Sequence, residues 1–169
     1  MQTIYTIAAG TAVALVIWLV WLEIRGRRMW VLSQHTYEGF PLFLRHVERL
    51  PAPLRRKELP ALAIITHTFS KRLANGLPES DYNDSLAEMD LMLMNAMKAQ
   101  KIGSPVLVET FGGKRMFYYY VVDQRSAEKR FADIRPLFPA EELSFDSRPD
   151  PDWGFIYRYA KDFFPDLLF

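Results

Sequence analysis

An unbroken apolar segment at the N-terminus constrains this chain more than any other feature of its sequence. The run from Ile4 to Leu22 contains no charged side chain. As a helix it would rise about 28 Å, which is close to the thickness of the hydrocarbon layer of a bilayer. The sequence therefore predicts one membrane-spanning helix, which together with its basic flank occupies residues 1–28.

The residues beside this run favour a retained anchor over a cleaved signal peptide. A signal peptide begins with basic residues and ends with small ones, whereas this chain begins Met1-Gln2-Thr3. Rings suited to the headgroup layer and then basic side chains accompany the end of the run: Trp18, Trp21 and Trp30, and Arg25, Arg27 and Arg28. Because basic flanks stay on the cytoplasmic side, we expect the N-terminus outside and the domain in the cytoplasm.

The remaining residues predict a connector over 29–38 and one folded domain over 39–169. Runs rich in β-branched and aromatic residues predict strands at 42–47, 62–69, 105–111, 115–122 and 143–145. Helical spacing of apolar residues predicts one helix from Ser80 or Asp81 to near Gly103, another capped by Ser126, and a last one over 153–164. Gly112-Gly113 predicts a tight hairpin.

The order of these elements predicts the fold. Strand, helix, strand, strand, helix and strand follow one another in the middle of the domain, which is the ferredoxin-like pattern. We therefore expect an α+β domain, with a ferredoxin-like antiparallel sheet and helices on one face, preceded by one transmembrane helix.

The sequence offers little catalytic chemistry. It has no cysteine, which excludes disulfides, thiolate zinc sites and a cysteine nucleophile. His35, His46 and His67 match no local metal-binding spacing, and no phosphate-binding or nucleophile motif occurs. We expect no metal, no cofactor, no small-molecule ligand and no assigned catalytic residue.

Two alternative functions remain open from the residues. The basic and aromatic strand 115–121 is typical of sheets on which RNA bases stack, and its three consecutive tyrosines predict at least one exposed ring. The net charge of +1 argues against nucleic acid as a partner. A hydrolase built from His67, Glu109 and the acidic loop that begins at Glu141 is the other alternative.

Several short segments, taken in order, resemble a bacterial family catalogued as domain of unknown function 695. They are Gly39-Phe40-Pro41-Leu42 with Arg45, Leu62 to Thr66, Gly76-Leu77-Pro78, Glu88-Met89-Asp90, the Gly112-Gly113 hairpin into Phe117-Tyr118-Tyr119, and Trp153 with Tyr157. The resemblance covers residues 37–164. Such domains are similar in topology to the ribonuclease E inhibitor B family, which is ferredoxin-like and acts by binding a protein.

Taken together, the residues and the resemblance predict a protein-binding or regulatory module, inhibitor-like or immunity-like and non-catalytic. We expect it to be anchored in a bacterial inner membrane and to bind a protein partner. The predicted contact residues are Asn75, Gly76, Leu77 and Pro78 in one loop, Tyr118 and Tyr120 in the aromatic strand, and Trp153 with Tyr157 near the end of the chain.

Overall fold

The computed structural model describes residues 30–50 and 56–165. In that part of the chain, no helix is both long enough and apolar enough to cross a bilayer. The predicted anchor lies outside the described residues and stays a prediction, as do its flanking residues Trp18, Trp21, Arg25, Arg27 and Arg28.

The described residues form an α+β fold around a six-stranded sheet. Every pair of neighbouring strands is antiparallel, and the strand order is β1-β2-β4-β5-β3-β6. The strands are β1 (Trp30–Tyr37), β2 (Phe40–Val47), β3 (Ala61–Thr68), β4 (Gly103–Phe111), β5 (Lys114–Val121) and β6 (Glu142–Pro149). The predicted α+β class with an antiparallel sheet is confirmed.

Four helices accompany the sheet in the described residues: α1 (Ser80–Ser85), α2 (Ala87–Ala99), α3 (Gln124–Ile134) and α4 (Gly154–Phe163). The sequence predicts α1 and α2 as one helix. They are separate because the Ser85 hydroxyl donates a hydrogen bond of 2.7 Å to the Tyr82 carbonyl, which competes with the helical pattern. The cap of α3 also differs from the prediction: the Asp123 carboxylate accepts from the Ser126 amide at 2.8 Å.

Helices cover both faces of the sheet, so the prediction of helices on one face is wrong. Alternate side chains of a strand point to opposite faces. On β5, Phe117 and Tyr119 pack with α2 and α3, whereas Tyr118 and Tyr120 pack with α4. The strong apolar stripe of α4 requires a sheet face of its own to bury it.

Strand β1 lies where the sequence predicts a connector over 29–38. It pairs with β2 along its whole length, from Trp30 opposite Val47 to Tyr37 opposite Phe40. The turn between them has positive φ angles at Glu38 and Gly39, the geometry of a two-residue hairpin. The sequence of β1 lacks the clear alternation of apolar and polar residues that identifies a strand, because this edge strand carries polar residues on both faces.

The second tight hairpin agrees with its prediction. Gly112 and Gly113 have φ angles of 59° and 83° and join β4 to β5. The last strand, β6, is longer than the predicted 143–145 because it pairs with all of β3. As an edge strand it tolerates the charged residues and the terminal Pro149 that obscure it in the sequence.

Candidate functional site

A groove of about 950 Å³ lies on the α1–α2 side of the sheet. It exists because α2 packs on β4 and β5, and no other described helix packs on the outer strands β1 and β2 on that side. Leu32 and Phe43 line it from the side of the outer strands, and Leu91 and Met94 line it from the side of α2; these are called its two walls. Leu77 also lines the groove. Its size is within the range of sites that bind ligands or peptide side chains.

The walls of the groove expose large apolar side chains to solvent. Leu32 is 75% exposed, Leu91 66% and Phe43 37%. A single exposed leucine is ordinary on a protein surface, but several around one concavity mark an interaction site. The groove is therefore a candidate surface for holding a partner.

The strand register places two arginines on the floor of the groove. Leu32 lies opposite Arg45, and Arg45 lies opposite Val108. In the next row, Phe43 lies opposite Thr110, and Thr110 lies opposite Arg115. Residues paired in this way share one face of the sheet, so both arginines point toward α2.

The Arg115 side chain is buried and held by three hydrogen bonds. Its Nη1 donates to Asp90 Oδ2 at 2.6 Å, its Nη2 to Asn83 Oδ1 at 2.8 Å, and its Nε to Thr110 Oγ1 at 3.1 Å. The guanidinium also lies over the Phe69 ring, 5.4 Å from its centroid. Arg115 thus fastens α1 and α2 to the sheet beneath the groove.

Asp90 is shared between two cations. Its Oδ2 accepts from Arg115 and also from Arg45 Nη2, at 3.2 Å. The other oxygen, Oδ1, is buried and has no hydrogen-bond partner among the described residues. Burial lowers the pKa of Arg45, and the neighbouring Arg115 charge lowers it further, against the opposing effect of Asp90. The floor therefore holds two cationic side chains, Arg45 and Arg115, and one anionic side chain, Asp90.

A second polar cluster lies under α1. His67, on β3 opposite Arg115, has its Nε2 2.8 Å from Glu141 Oε2. The Tyr82 hydroxyl donates to the same carboxylate oxygen at 2.5 Å. His67 is fully buried, and its Nδ1 has no partner among the described residues. It does not line the groove, so a substrate in the groove would not reach this imidazole.

This cluster predicts a pH dependence of stability. Burial is the main cause that lowers the pKa of His67, against the opposing hydrogen bond to Glu141. The unfolded chain therefore takes up the proton first as pH falls through about 6.5. Stability contributed by the neutral imidazole is present above that pH and is lost below it. We expect wild type to lose stability relative to His67→Gln between pH 7.5 and 5.5, measured by urea denaturation of the full chain in micelles.

The control for this prediction is His35→Gln, on the edge strand β1. This variant replaces a histidine outside the cluster by the same residue, glutamine, so it tests whether the effect belongs to His67. Parallel stability curves for wild type and His67→Gln would contradict the prediction. Comparing the variants also cancels the contribution of Glu109, whose pKa burial raises and which acts in the opposite direction.

Glu109 lies on the other face of the sheet, with α4. Its carboxylate accepts hydrogen bonds from Tyr159 and, at 3.5 Å, from Tyr118. The structure brings His67 and Glu141 together but places Glu109 with these tyrosines. The three groups named for the hydrolase alternative therefore do not form one site. Residues 30–50 and 56–165 also contain no group of three His, Asp or Glu side chains placed to hold a metal ion.

The predicted contact loop borders the groove. Leu77 and Pro78 line it. Asn75 shapes the turn by accepting from the Leu77 amide at 3.1 Å. Gly76 has a φ angle of 81°, and its carbonyl accepts from the Gly113 amide at 2.9 Å. The loop is thus fixed against the β4–β5 hairpin.

The other predicted contact residues pack with α4 and lie away from the groove. Tyr118 stacks on Phe155, and Tyr120 stacks on Trp153 with 3.7 Å between ring centroids. Tyr118, Tyr120 and Trp153 are buried, so the prediction of an exposed tyrosine in this strand is wrong. Tyr157 is half-buried and accepts a hydrogen bond from Arg56. The neighbouring acidic residue Asp150 caps α4 by accepting from the Gly154 amide at 2.8 Å.

The residues on the groove floor are absent from the predicted site. Arg45 follows Phe43 at the spacing that places both on one face of β2, and Asp90 falls between the buried Leu86 and Leu93 of the α2 stripe. A charged residue at an inward-facing position is the signal that could have identified them. That signal becomes clear only when the strand register is known.

Among curated proteins, none matches the chain. The profile of a family of unknown function, DUF695, matches residues 28–159. The match includes all six strands and the helices that carry the groove, and it begins before β1, so the edge strand is part of the family's domain. The chain therefore belongs to the DUF695 family of unknown function.

Proposed function

We propose that this protein is a membrane-anchored binding module that holds a segment of another protein in the groove and has no catalytic role of its own. The observation that carries the proposal is the pair of exposed leucines, Leu32 and Leu91, on opposite walls of a groove with a charged floor. Exposing such side chains is unfavourable in water by about 1.5–3 kcal/mol for each one that a partner could bury. The role we propose for this binding is regulatory, inhibitor-like or immunity-like.

The architecture supports a rigid platform for such binding. In this proposal β4, β5, β3 and β6 form a ferredoxin-like unit with α2 and α3, and β1 and β2 add one wall of the groove. The opposite wall is tied to the sheet through Arg115, Asn83 and Asp90. A partner would therefore meet a surface that is formed before binding, which lowers the entropic cost of association.

The apolar N-terminal run supports the anchor. In this proposal the helix over Ile4 to Leu22 spans the bacterial inner membrane, with the N-terminus outside and the groove in the cytoplasm. Tethering would raise the effective concentration of the module near membrane-associated partners. The RNA-binding alternative depends on exposed rings in strand 115–121. The rings of Tyr118 and Tyr120 are instead covered by α4.

Site-specific photocrosslinking in native membranes tests the proposal. The full chain would carry a benzophenone amino acid in place of Leu91, and the adducts would be identified by mass spectrometry after an alkaline carbonate wash. We expect the chain to stay in the washed pellet and to yield one dominant protein adduct. The filling variant Ala87→Trp, at another residue lining the groove, should reduce that adduct at least fivefold.

The matched control places the crosslinker at Leu137, which is 57% exposed but does not line the groove. Equal adducts from Leu91 and Leu137 would contradict binding in the groove. Release of the chain by the carbonate wash would contradict the anchor while leaving the groove result intact.

A further inference from the structure

We propose that the occupant of the groove is a peptide segment with an acidic side chain, whose carboxylate lies on Arg45 while apolar neighbours pack against Leu32 and Leu91. This inference rests on the proposed function and specifies the chemistry of the partner. It follows from the charge balance of the floor, from the unused donors of Arg45, and from the apolar walls.

The charge balance on the floor favours an anion. Two guanidinium groups, of Arg45 and Arg115, share a single carboxylate oxygen of Asp90. The remaining charged residue lining the groove, Asp84, is exposed on α1, where water screens its charge. The half-buried floor is therefore electropositive, and a carboxylate placed there would restore neutrality in a site of low dielectric constant.

Arg45 has hydrogen-bond donors that no described residue accepts. Arg115 uses Nε, Nη1 and Nη2 in its three hydrogen bonds. Arg45 donates only through Nη2, to Asp90, so its Nε and Nη1 bond to no other described residue. Its side chain is 31% exposed, compared with 10% for Arg115. Nη2 carries a second proton, and this proton together with that of Nε or of Nη1 presents two parallel donors, the geometry that a carboxylate accepts.

The apolar walls of the groove favour a peptide over a nucleic acid as the molecule that supplies the anionic group. Leu32, Leu91 and Met94 offer aliphatic surface to apolar side chains on either side of the acidic one. A single-stranded nucleic acid would need a basic track and stacking rings. The net charge of the chain is +1, and Phe43 is the only aromatic side chain among the described residues that line the groove.

Selection from a displayed library of random dodecapeptides tests the inference. The full chain would be immobilised in lipid nanodiscs, and enriched peptides would be synthesised for titration. We expect enriched peptides to share an Asp or Glu flanked by apolar residues. Arg45→Gln should weaken binding of such a peptide at least tenfold, whereas Arg125→Gln, an exposed arginine on α3, should leave it unchanged.

A double-mutant cycle assigns the effect to the proposed pair. Replacing the peptide's acid by its amide should weaken binding to wild type by a similar factor and should have little further effect on Arg45→Gln. Arg45→Lys is the second variant in case Arg45→Gln is unstable. It keeps a charge beside Asp90 but loses the paired donors, and we expect at least threefold weaker binding.

Three results would overturn the inference. They are enriched peptides without an acidic residue, full binding of an acidic peptide by Arg45→Gln, and no enrichment at all. Binding of a single-stranded oligouridylate probe that is lost in Arg45→Gln would likewise replace the peptide with a nucleic acid. Whichever of these results is obtained, the crosslinking experiment at Leu91 tests separately whether the groove holds a protein.

Discussion

Replacing Arg115 with methionine is expected to lower the free energy of unfolding by about 3–5 kcal/mol, because it leaves the Asp90 carboxylate buried beside only one, more distant cation. Asn83 and Thr110 lose their hydrogen-bond donor in the same change. Urea denaturation of the full chain, followed by far-ultraviolet circular dichroism, measures the loss. The groove should also lose its binding activity, because α1 and α2 are no longer fastened to the sheet.

The paired control for Arg115→Met also removes the carboxylate of Asp90, which has lost its nearer cation in the single variant. The double variant Arg115→Met, Asp90→Leu should recover part of the stability, since an ion pair replaced by apolar groups of similar size often costs little. Lys101→Met, which replaces an exposed cation just after α2, should change stability by less than about 0.5 kcal/mol. Equal losses from the single and the double variant would contradict the account of Arg115 as the partner of Asp90.

The second large effect is expected at Trp153. This side chain is 1% exposed, stacks on Tyr120, and donates from Nε1 to the Leu59 carbonyl at 3.0 Å. Trp153→Ala should lower the free energy of unfolding by about 3–5 kcal/mol, because a large buried ring is replaced by a cavity. Hydrogen exchange followed by mass spectrometry should show the loss of protection centred on α4.

Trp153→Phe separates the ring from its hydrogen bond. It keeps an aromatic ring against Tyr120 but cannot donate to the carbonyl, so the expected loss is about 1–3 kcal/mol. Both replacements carry a Cβ atom, as tryptophan does, so neither relieves the steric cost of the left-handed backbone at this position, where φ is 59°. If Trp153→Ala instead abolished partner capture without loss of stability, the original interpretation of Trp153 as a contact residue would be restored.

Much of the sheet can be predicted from the sequence because its three central strands, β3, β4 and β5, are buried on both faces. In β3, Ala61 to Ile65 contains no charged residue, and the glycine pair after Phe111 marks a hairpin without ambiguity. Edge strands lack this signal. β1 and β6 are the two edge strands, and each has polar residues. For this reason the sequence predicts a connector where β1 lies, and it predicts β6 as a shorter strand than the one observed.

The site is harder to predict than the fold because it depends on which face each side chain takes. Tyr118 and Tyr120 look like surface rings only if one face of the sheet is bare, and α4 covers that face. Arg45 looks like a solvated charge in a strand, yet the register turns it toward Asp90, a residue distant in sequence. Pairings over such separations leave no local pattern in the chain.

The placement of β3 between β5 and β6 has a consequence for synthesis of the protein on the ribosome. Both neighbours of β3 come from later in the chain, because Ala61 pairs with Val121 and with Pro149. An apolar strand such as this one therefore emerges before either partner exists, and its backbone amides and carbonyls stay unpaired during that interval. Nascent chains shorter than about 150 residues should depend on chaperones that shield β3, and chains stalled there should aggregate more readily than complete ones.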